Sequence, residues 1–212
     1  MKSWSASELA TFLKVINEHR FHVAFHLASM TGMRRGEVLG LRWQDIDFGA
    51  SRLAVRQSLV SVAYEIKLSS PKSHQARTID LDRETMQLLI VHKEAQREEA
   101  TSWGLGYQVS DLVFRSADGS PIHPDSFSQA FEVVVRNSRL PRIRLHDLRH
   151  THASLALSAG VPVKVISERL GHESPAFTLK QYAHVIPGMQ AEAASLVASI
   201  VKNSVVVREN DQ

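Results

Sequence analysis

His146-Asp147-Leu148-Arg149-His150-Thr151-His152-Ala153-Ser154-Leu155-Ala156-Leu157-Ser158-Ala159-Gly160 reads as a helix with its stop written in. Glycine accepts the left-handed backbone that closes a helix, so Gly160 ends the run. Val161-Pro162 then opens a second helix, proline fitting a first turn where its missing N–H is not needed, and Leu170-Gly171 closes it in the same way. A further helix is expected to carry Tyr182. His146 and Arg149 sit three residues apart and project from one helix face.

Upstream, Ser5-Ala6-Ser7-Glu8 has capping-box spacing, and Leu9, Phe12, Leu13 and Ile16 follow at helical intervals. A helix over His22 to Met30 breaks at Thr31-Gly32. Arg34 to Leu41 restarts as a short helix with Val38 and Leu41 inward, which puts Arg34 at a helix start on a bend. From Trp43 the pattern changes. Asp45-Ile46-Asp47-Phe48-Gly49 reads as a turn, and the β-branched stretches Leu53 to Val62, Tyr64 to Leu68 and Arg77 to Leu81 read as strands of a small three-stranded antiparallel sheet. Ser69 to Gln75, small and polar, suits a hairpin loop with Lys72 near its tip.

Asp82 caps a helix carrying Met86, Leu89 and Ile90. A loop with Gly104, Gly106 and Gly119 leads to another helix from about Asp125 to Asn137. Beyond Tyr182, Met189, Ala193, Leu196, Val197 and Ile200 form an apolar stripe ahead of Val205-Val206-Val207. The fold class is therefore α+β, mostly α-helical, with the small sheet in the N-terminal half.

Composition narrows the function classes. Hydrophobic residues at 43% and charged residues at 22% of 212 suit one well-buried domain. No apolar run is long enough to span a membrane and the N-terminus lacks signal-peptide character, so a cytoplasmic location without membrane attachment is expected. The absence of cysteine excludes disulfides, thiolate metal sites and a cysteine nucleophile. A formal charge of +3 points only weakly to nucleic acid. Its placement says more: basic residues gather in Arg34-Arg35, in Lys67 through Arg77, and in Arg136 through Arg149.

Three motifs stand out: Thr31-Gly32-Met33-Arg34-Arg35-Gly36-Glu37, His146-Asp147-Leu148-Arg149-His150-Thr151, and Leu170-Gly171-His172 with Tyr182 ten residues after that histidine. In this order, with Lys72 between the first two, they resemble the catalytic domain of tyrosine recombinases of the phage-integrase type. The resemblance runs from Trp4 to about Met189. It implies site-specific DNA recombination, the integration or excision of a mobile element, with strand cleavage and religation through a 3′-phosphotyrosine. The alternative, from another class, is a catalytically silent DNA-binding remnant or regulator.

The resemblance gives each residue a role that the chemistry supports. Attack on a phosphodiester builds negative charge on the non-bridging oxygens, and guanidinium forks match that geometry. Arg34 and Arg149 fall on the phosphate. His146 donates to the same oxygens or helps deprotonate the tyrosine, and His172 donates to a non-bridging oxygen. Lys72, with Lys67 as fallback, protonates the leaving 5′ oxygen, and Tyr182 is the nucleophile. Glu37, Asp147 and His150 support these groups, while Arg35, His74, Arg77, Arg142 and Arg144 are expected DNA contacts.

Plainer readings exist for single residues. Arg34 suits a salt bridge with Glu37, and His150 a partly buried structural position. His146 and His150, four apart, invite a metal reading, but no His-Glu-x-x-His pattern is present. Neither metal nor cofactor is expected, because the tyrosine ester conserves the energy of the broken strand. The implied partners are duplex attachment sites, further copies in a tetramer, and accessory DNA-bending or directionality proteins. Residues 1–187 form the expected catalytic domain, and 188–212 a C-terminal helix and tail that docks on a neighbouring protomer. The family's N-terminal core-binding and arm-binding domains are expected to be absent from this chain.

Overall fold

The computed structural model describes residues 2–69, 76–182, 194–195 and 197–202. Ser5 caps α1 (Ala6–Val15) through a reciprocal box, its hydroxyl accepting from the Glu8 N–H while the Glu8 carboxylate accepts from the Ser5 N–H. The helix buries Leu9 and Phe12 against α2 (His22–Thr31), which is buried along most of its length. Gly32, at φ 65°, turns the chain into α3 (Arg35–Leu39). Rings of Trp4, Phe12, Phe25, Phe127 and Phe131 meet at 4.7–6.1 Å in the middle of the main core.

Trp4 also ties the start of the chain to its second half. Its N–H donates to Thr151 Oγ1 at 3.0 Å and its indole Nε1 to the Pro141 carbonyl at 2.9 Å. α4 (Arg83–Trp103) starts at Asp82, whose carboxylate accepts from the Thr85 N–H. After a loop come α5 (Pro124–Asn137), α6 (Asp147–Ser158), α7 (Val163–Leu170) and α8 (Pro175–Tyr182). A smaller core of Ala153, Leu157, Ile166, Leu170 and Tyr182 holds the last three helices together. The helix starts and stops follow the sequence expectation to within a few residues.

The sheet differs in membership. A three-stranded antiparallel sheet is present, but its order is β1 (Ile46–Asp47), β2 (Arg52–Val55), β5 (Arg77–Asp80), with β1 lying in the stretch expected to be a turn. The expected single strand Leu53 to Val62 divides at Arg56-Gln57, and its second half becomes β3 (Ser58–Val62), paired with β4 (Glu65–Ser69) in a separate two-stranded ribbon. Gln57 Nε2 donates to the Gly40 carbonyl at 2.8 Å, and β3 packs so closely on α3 that a Cβ at Gly36 would meet Leu59 O at 2.6 Å. That packing pulls β3 out of the first sheet. β4 and β5 are therefore not hairpin partners; the hairpin turn is at Ala63-Tyr64, both at positive φ.

Candidate active site

α7 ends at Gly171, whose left-handed backbone (φ 65°) closes the helix and leaves its last carbonyls without helical partners. Three arginines take them in order. Arg77 Nε donates to the Arg169 carbonyl at 2.9 Å, Arg149 Nη2 to Leu170 at 2.7 Å, and Arg34 Nη2 to Gly171 at 3.3 Å. The negative end of the helix dipole favours cations here. From α6, Arg149 also sends Nη1 to the Gly32 carbonyl at 2.7 Å, so it bridges two glycine bends.

One carboxylate organises the group. Glu37, in the first turn of α3, accepts the Arg34 N–H at 2.8 Å and Arg34 Nη1 at 2.9 Å. Arg77 reaches it from β5 with both Nη atoms, at 2.9 and 2.7 Å. Burial pushes the Glu37 pKa up, but the hydrogen bonds and charge of Arg77, with Arg34, outweigh it and hold the carboxyl at about 2. Burial, then the charge of Arg34, pushes Arg149 down to about 9, leaving it protonated at neutral pH. Three guanidinium groups against one carboxylate leave two positive charges in excess.

His172 follows Gly171 directly. Its Nδ1 lies 2.7 Å from Thr178 Oγ1 on α8, and its ring meets Phe177 edge-on at 4.9 Å. Burial, then Arg149 and Arg34, pushes its pKa down to about 4, so the ring is neutral at pH 7. His146 stands at the N-cap of α6 with its ring 5.1 Å from that of His150, and burial with the charge of Arg149 lowers its pKa.

Tyr182, the last residue of α8, is 1% exposed. Its ring packs in the α6–α7–α8 core and its hydroxyl lies 2.8 Å from His150 Nδ1. Burial raises its pKa to about 12, with Arg149 opposing, while burial and then His146 lower His150 to about 4. Phenol and imidazole therefore meet as two neutral groups.

Of the remaining expected residues that the structure describes, Arg35, Lys67, Arg142 and Arg144 lie on the surface. Asp147 is buried and accepts the Arg144 N–H at 2.8 Å and its Nη2 at 3.1 Å. Arg142 and Arg144 alternate with buried Ile143 and Leu145, so both face outward, around a cleft shared with Lys2 and Arg136. Arg35 donates to the Pro124 carbonyl, Asp125 and Ser128 at the start of α5. Lys72 and His74 lie outside the described residues, as do Met189, Ala193, Leu196 and Val205 to Val207. Lys67 is exposed on β4 and pairs with Glu65 at 3.2 Å.

Of the expected residues, Arg34, Arg149 and His172 converge, with His146, His150 and Tyr182 alongside. Arg77 joins them rather than standing on the surface, with 10% of its side chain exposed. Nothing in its sequence neighbourhood signalled that place. Thr178 as the partner of His172 was likewise missed. Among the described residues no group of histidine and carboxylate side chains is arranged to hold a metal ion, and no helix is long and apolar enough to cross a membrane.

An arginine cluster with a nearby histidine and tyrosine, on a mostly helical frame with a small antiparallel sheet, is what the order of motifs implied. The chain belongs to the phage integrase family, whose model matches residues 3–188. Among its relatives are the ICEBs1 integrase of Bacillus subtilis (strain 168), 32% identical over 92% of this chain and 53% of that protein, and a XerC-like tyrosine recombinase of Caldanaerobacter subterraneus subsp. tengcongensis, 30% identical over 91% and 53%. The chain thus spans about half the length of the curated relatives it matches. In fold it resembles the Tn1549 transposon integrase solved with circular intermediate DNA, with a TM-score of 0.77 at 22% identity, covering 92% of this chain and 67% of that one. It also resembles the catalytic domain of bacteriophage HP1 integrase, with a TM-score of 0.61 at 19% identity over 92% and 94%.

Proposed function

We propose that this chain is the strand-transfer domain of a site-specific recombinase that integrates or excises a mobile element. The observation that carries the reading is the set of three arginines on successive carbonyls at the end of α7, with two positive charges in excess beside His172 and Tyr182. A phosphodiester brings one negative charge, and in-line attack adds a second on the non-bridging oxygens. Donors fixed in advance around that charge stabilise the transition state more than the ground state.

Arg34 and Arg149 have further guanidinium donors for those oxygens. If Thr178 is the donor in its 2.7 Å contact with His172 Nδ1, the ring proton sits on Nε2, which suits a third donor. In the reaction the bond from Tyr182 Oη to phosphorus forms as the bond from phosphorus to the 5′ oxygen breaks. The phenol proton passes to His146, and Lys72 gives a proton to the leaving oxygen. Religation reverses these steps on a different 5′ hydroxyl. The scheme calls for neither metal nor nucleotide. Glu37 and Asp147 orient arginines, and Arg35, Arg142 and Arg144, with His74, line the path of the duplex.

Residues 1–187 would act as the catalytic unit within a tetramer on paired sites, aided by DNA-bending or directionality proteins. The segment 188–212 would dock on the next protomer, a role suited to the exposed Val197, Ile200 and Val201. A second reading, a DNA-binding remnant without cleavage, is favoured by the burial of Tyr182. Wild type and Tyr182→Phe, incubated in chelator with a nicked suicide duplex carrying the element's own attachment site, decide between them on a denaturing gel. A covalent adduct formed by wild type and lost in the variant is expected. Adduct with neither protein would leave the remnant.

A further inference from the structure

Arg77 is an expected DNA contact, yet only 10% of its side chain is exposed and all three of its nitrogens are engaged inside the protein. Nε donates to the Arg169 carbonyl at 2.9 Å, and Nη1 and Nη2 donate to the two oxygens of Glu37 at 2.9 and 2.7 Å. The guanidinium also lies against Gly171, where a Cβ would meet Arg77 Cδ and Nη1 at 3.0 Å. Its place is therefore fixed on three sides.

What that place does is seen at Arg34. Each Glu37 oxygen accepts two hydrogen bonds: Oε1 from Nη1 of Arg34 and Nη1 of Arg77, Oε2 from the Arg34 N–H and Arg77 Nη2. Arg34 thus gives the carboxylate one side-chain hydrogen bond and the Gly171 carbonyl another. Two of its five N–H donors are used, so three stay free among the described residues. With Arg77 gone, a carboxylate 1% exposed would face Arg34 alone, and the stable form of such a pair is the two-pronged one. Arg34 would close onto Glu37 and turn toward it the donors that a phosphate needs.

We propose that Arg77 is a positioning residue for strand cleavage: by saturating Glu37 it holds Arg34 open toward the phosphate, and it does so without touching DNA. This rests on the recombinase reading, in which Arg34 meets the scissile phosphate. Arg77 and Arg34 are then competitors for one carboxylate, and the balance between them sets how much of the Arg34 fork is left for the reaction.

Binding and cleavage of the nicked suicide duplex separate this role from a DNA contact. Arg77→Gln should bind the duplex within about threefold of wild type and with the same slope of log K against log salt, whereas a lost phosphate contact flattens that slope by about one. At saturating duplex its covalent adduct should form about tenfold to a hundredfold more slowly, the effect of one charge-assisted hydrogen bond withdrawn from the phosphate. Removing the charge of the carboxylate should reverse part of that loss. Arg77→Gln combined with Glu37→Gln should cleave faster than Arg77→Gln alone, which a residue that only holds the fold together would not give.

A measurement without DNA keeps the proposal apart from the recombinase reading. Phenylglyoxal labelling, followed arginine by arginine in peptides, should mark Arg34, with 28% of its side chain exposed, less in Arg77→Gln than in wild type. The double variant should regain the label, while Arg35, 40% exposed, stays unchanged throughout. A flattened salt slope in Arg77→Gln would make Arg77 a DNA contact and overturn the proposal. A double variant no faster than the single one overturns it too, as does labelling of Arg34 that does not fall. Should Arg77→Gln alone fail to fold, the double variant is compared with Glu37→Gln: the added change should slow cleavage no further, and a further loss overturns the proposal. Labelling as expected with no adduct from any protein, wild type included, would keep the hold of Arg77 on Arg34 and defeat the recombinase reading instead.

Discussion

Glu37 lies beneath two guanidinium groups, and its position explains how three like charges share one pocket without DNA. Arg77 is bound to it through two hydrogen bonds and Arg34 through one from its side chain, so the carboxylate offsets a repulsion that would otherwise drive the arginines apart. Its neutral isostere keeps the shape and removes the charge. Glu37→Gln should cost about 3 to 5 kcal/mol, because Arg77 is left buried without its anion. Arg35→Gln, which breaks a more exposed pair with Asp125, should cost under about 1 kcal/mol. Urea denaturation of both variants at pH 7 makes the comparison. Equal losses would mean that Glu37 does not hold the cluster.

At the scale of elements, two helices end in the same way, and the site lies where their ends meet. α2 stops at Gly32 and α7 at Gly171, each at φ 65°, and the two glycine carbonyls accept Arg149 and Arg34. A Cβ on Gly32 would also meet Leu170 Cδ2 at 2.5 Å, so Gly32→Ala is strained both by its backbone and by its neighbour. A loss of about 2 kcal/mol is expected, seen as a fall in Tm of roughly 4 to 8 °C for a domain of this size. The adduct yield should fall with it, since the carbonyl that aims Arg149 moves. A melting temperature within a degree of wild type would show that the bend tolerates a side chain. These bends were legible in the sequence because glycine stops and capping residues act within one turn of chain. The path of the sheet was not. Arg56-Gln57 carries no glycine or proline, and the strand divides there because Ser58 and Leu59 pack on the backbone of α3, a contact between distant residues. Arg77 was hidden for the same reason: only the approach of β5 to the end of α7 shows what it binds. The motif residues were legible by their order, yet the resting place of Tyr182 depends on how α8 packs.

Across the whole molecule, histidine burial sets the response to acid. Among the described residues eight histidines have lowered pKa values with burial as the main cause, and His150, His152 and His172 are pushed down to about 4. In the unfolded chain they return to about 6.5. Between those values the unfolded state binds protons that the folded state refuses, so stability is whole above pH 6.5, falls as the pH drops, and has lost this contribution near pH 4. His150, the most buried of the three, contributes on the order of 2 kcal/mol of that loss by pH 5, and His152 and His172, which reach solvent, contribute less. Glu37, held at about 2, adds its own loss only as the pH falls through the ordinary carboxylate range toward 2, so the decline from pH 7 to 5 belongs to the imidazoles. Urea midpoints measured in half-unit steps over that window should fall steadily. In His150→Phe, which cannot take up the proton in either state, the same curve should be shallower by up to ~1.4 kcal/mol per pH unit. A wild-type midpoint flat from pH 7 to 5 would mean that these rings accept protons in the folded protein, and the neutral pairing of His150 with Tyr182 would have to be given up.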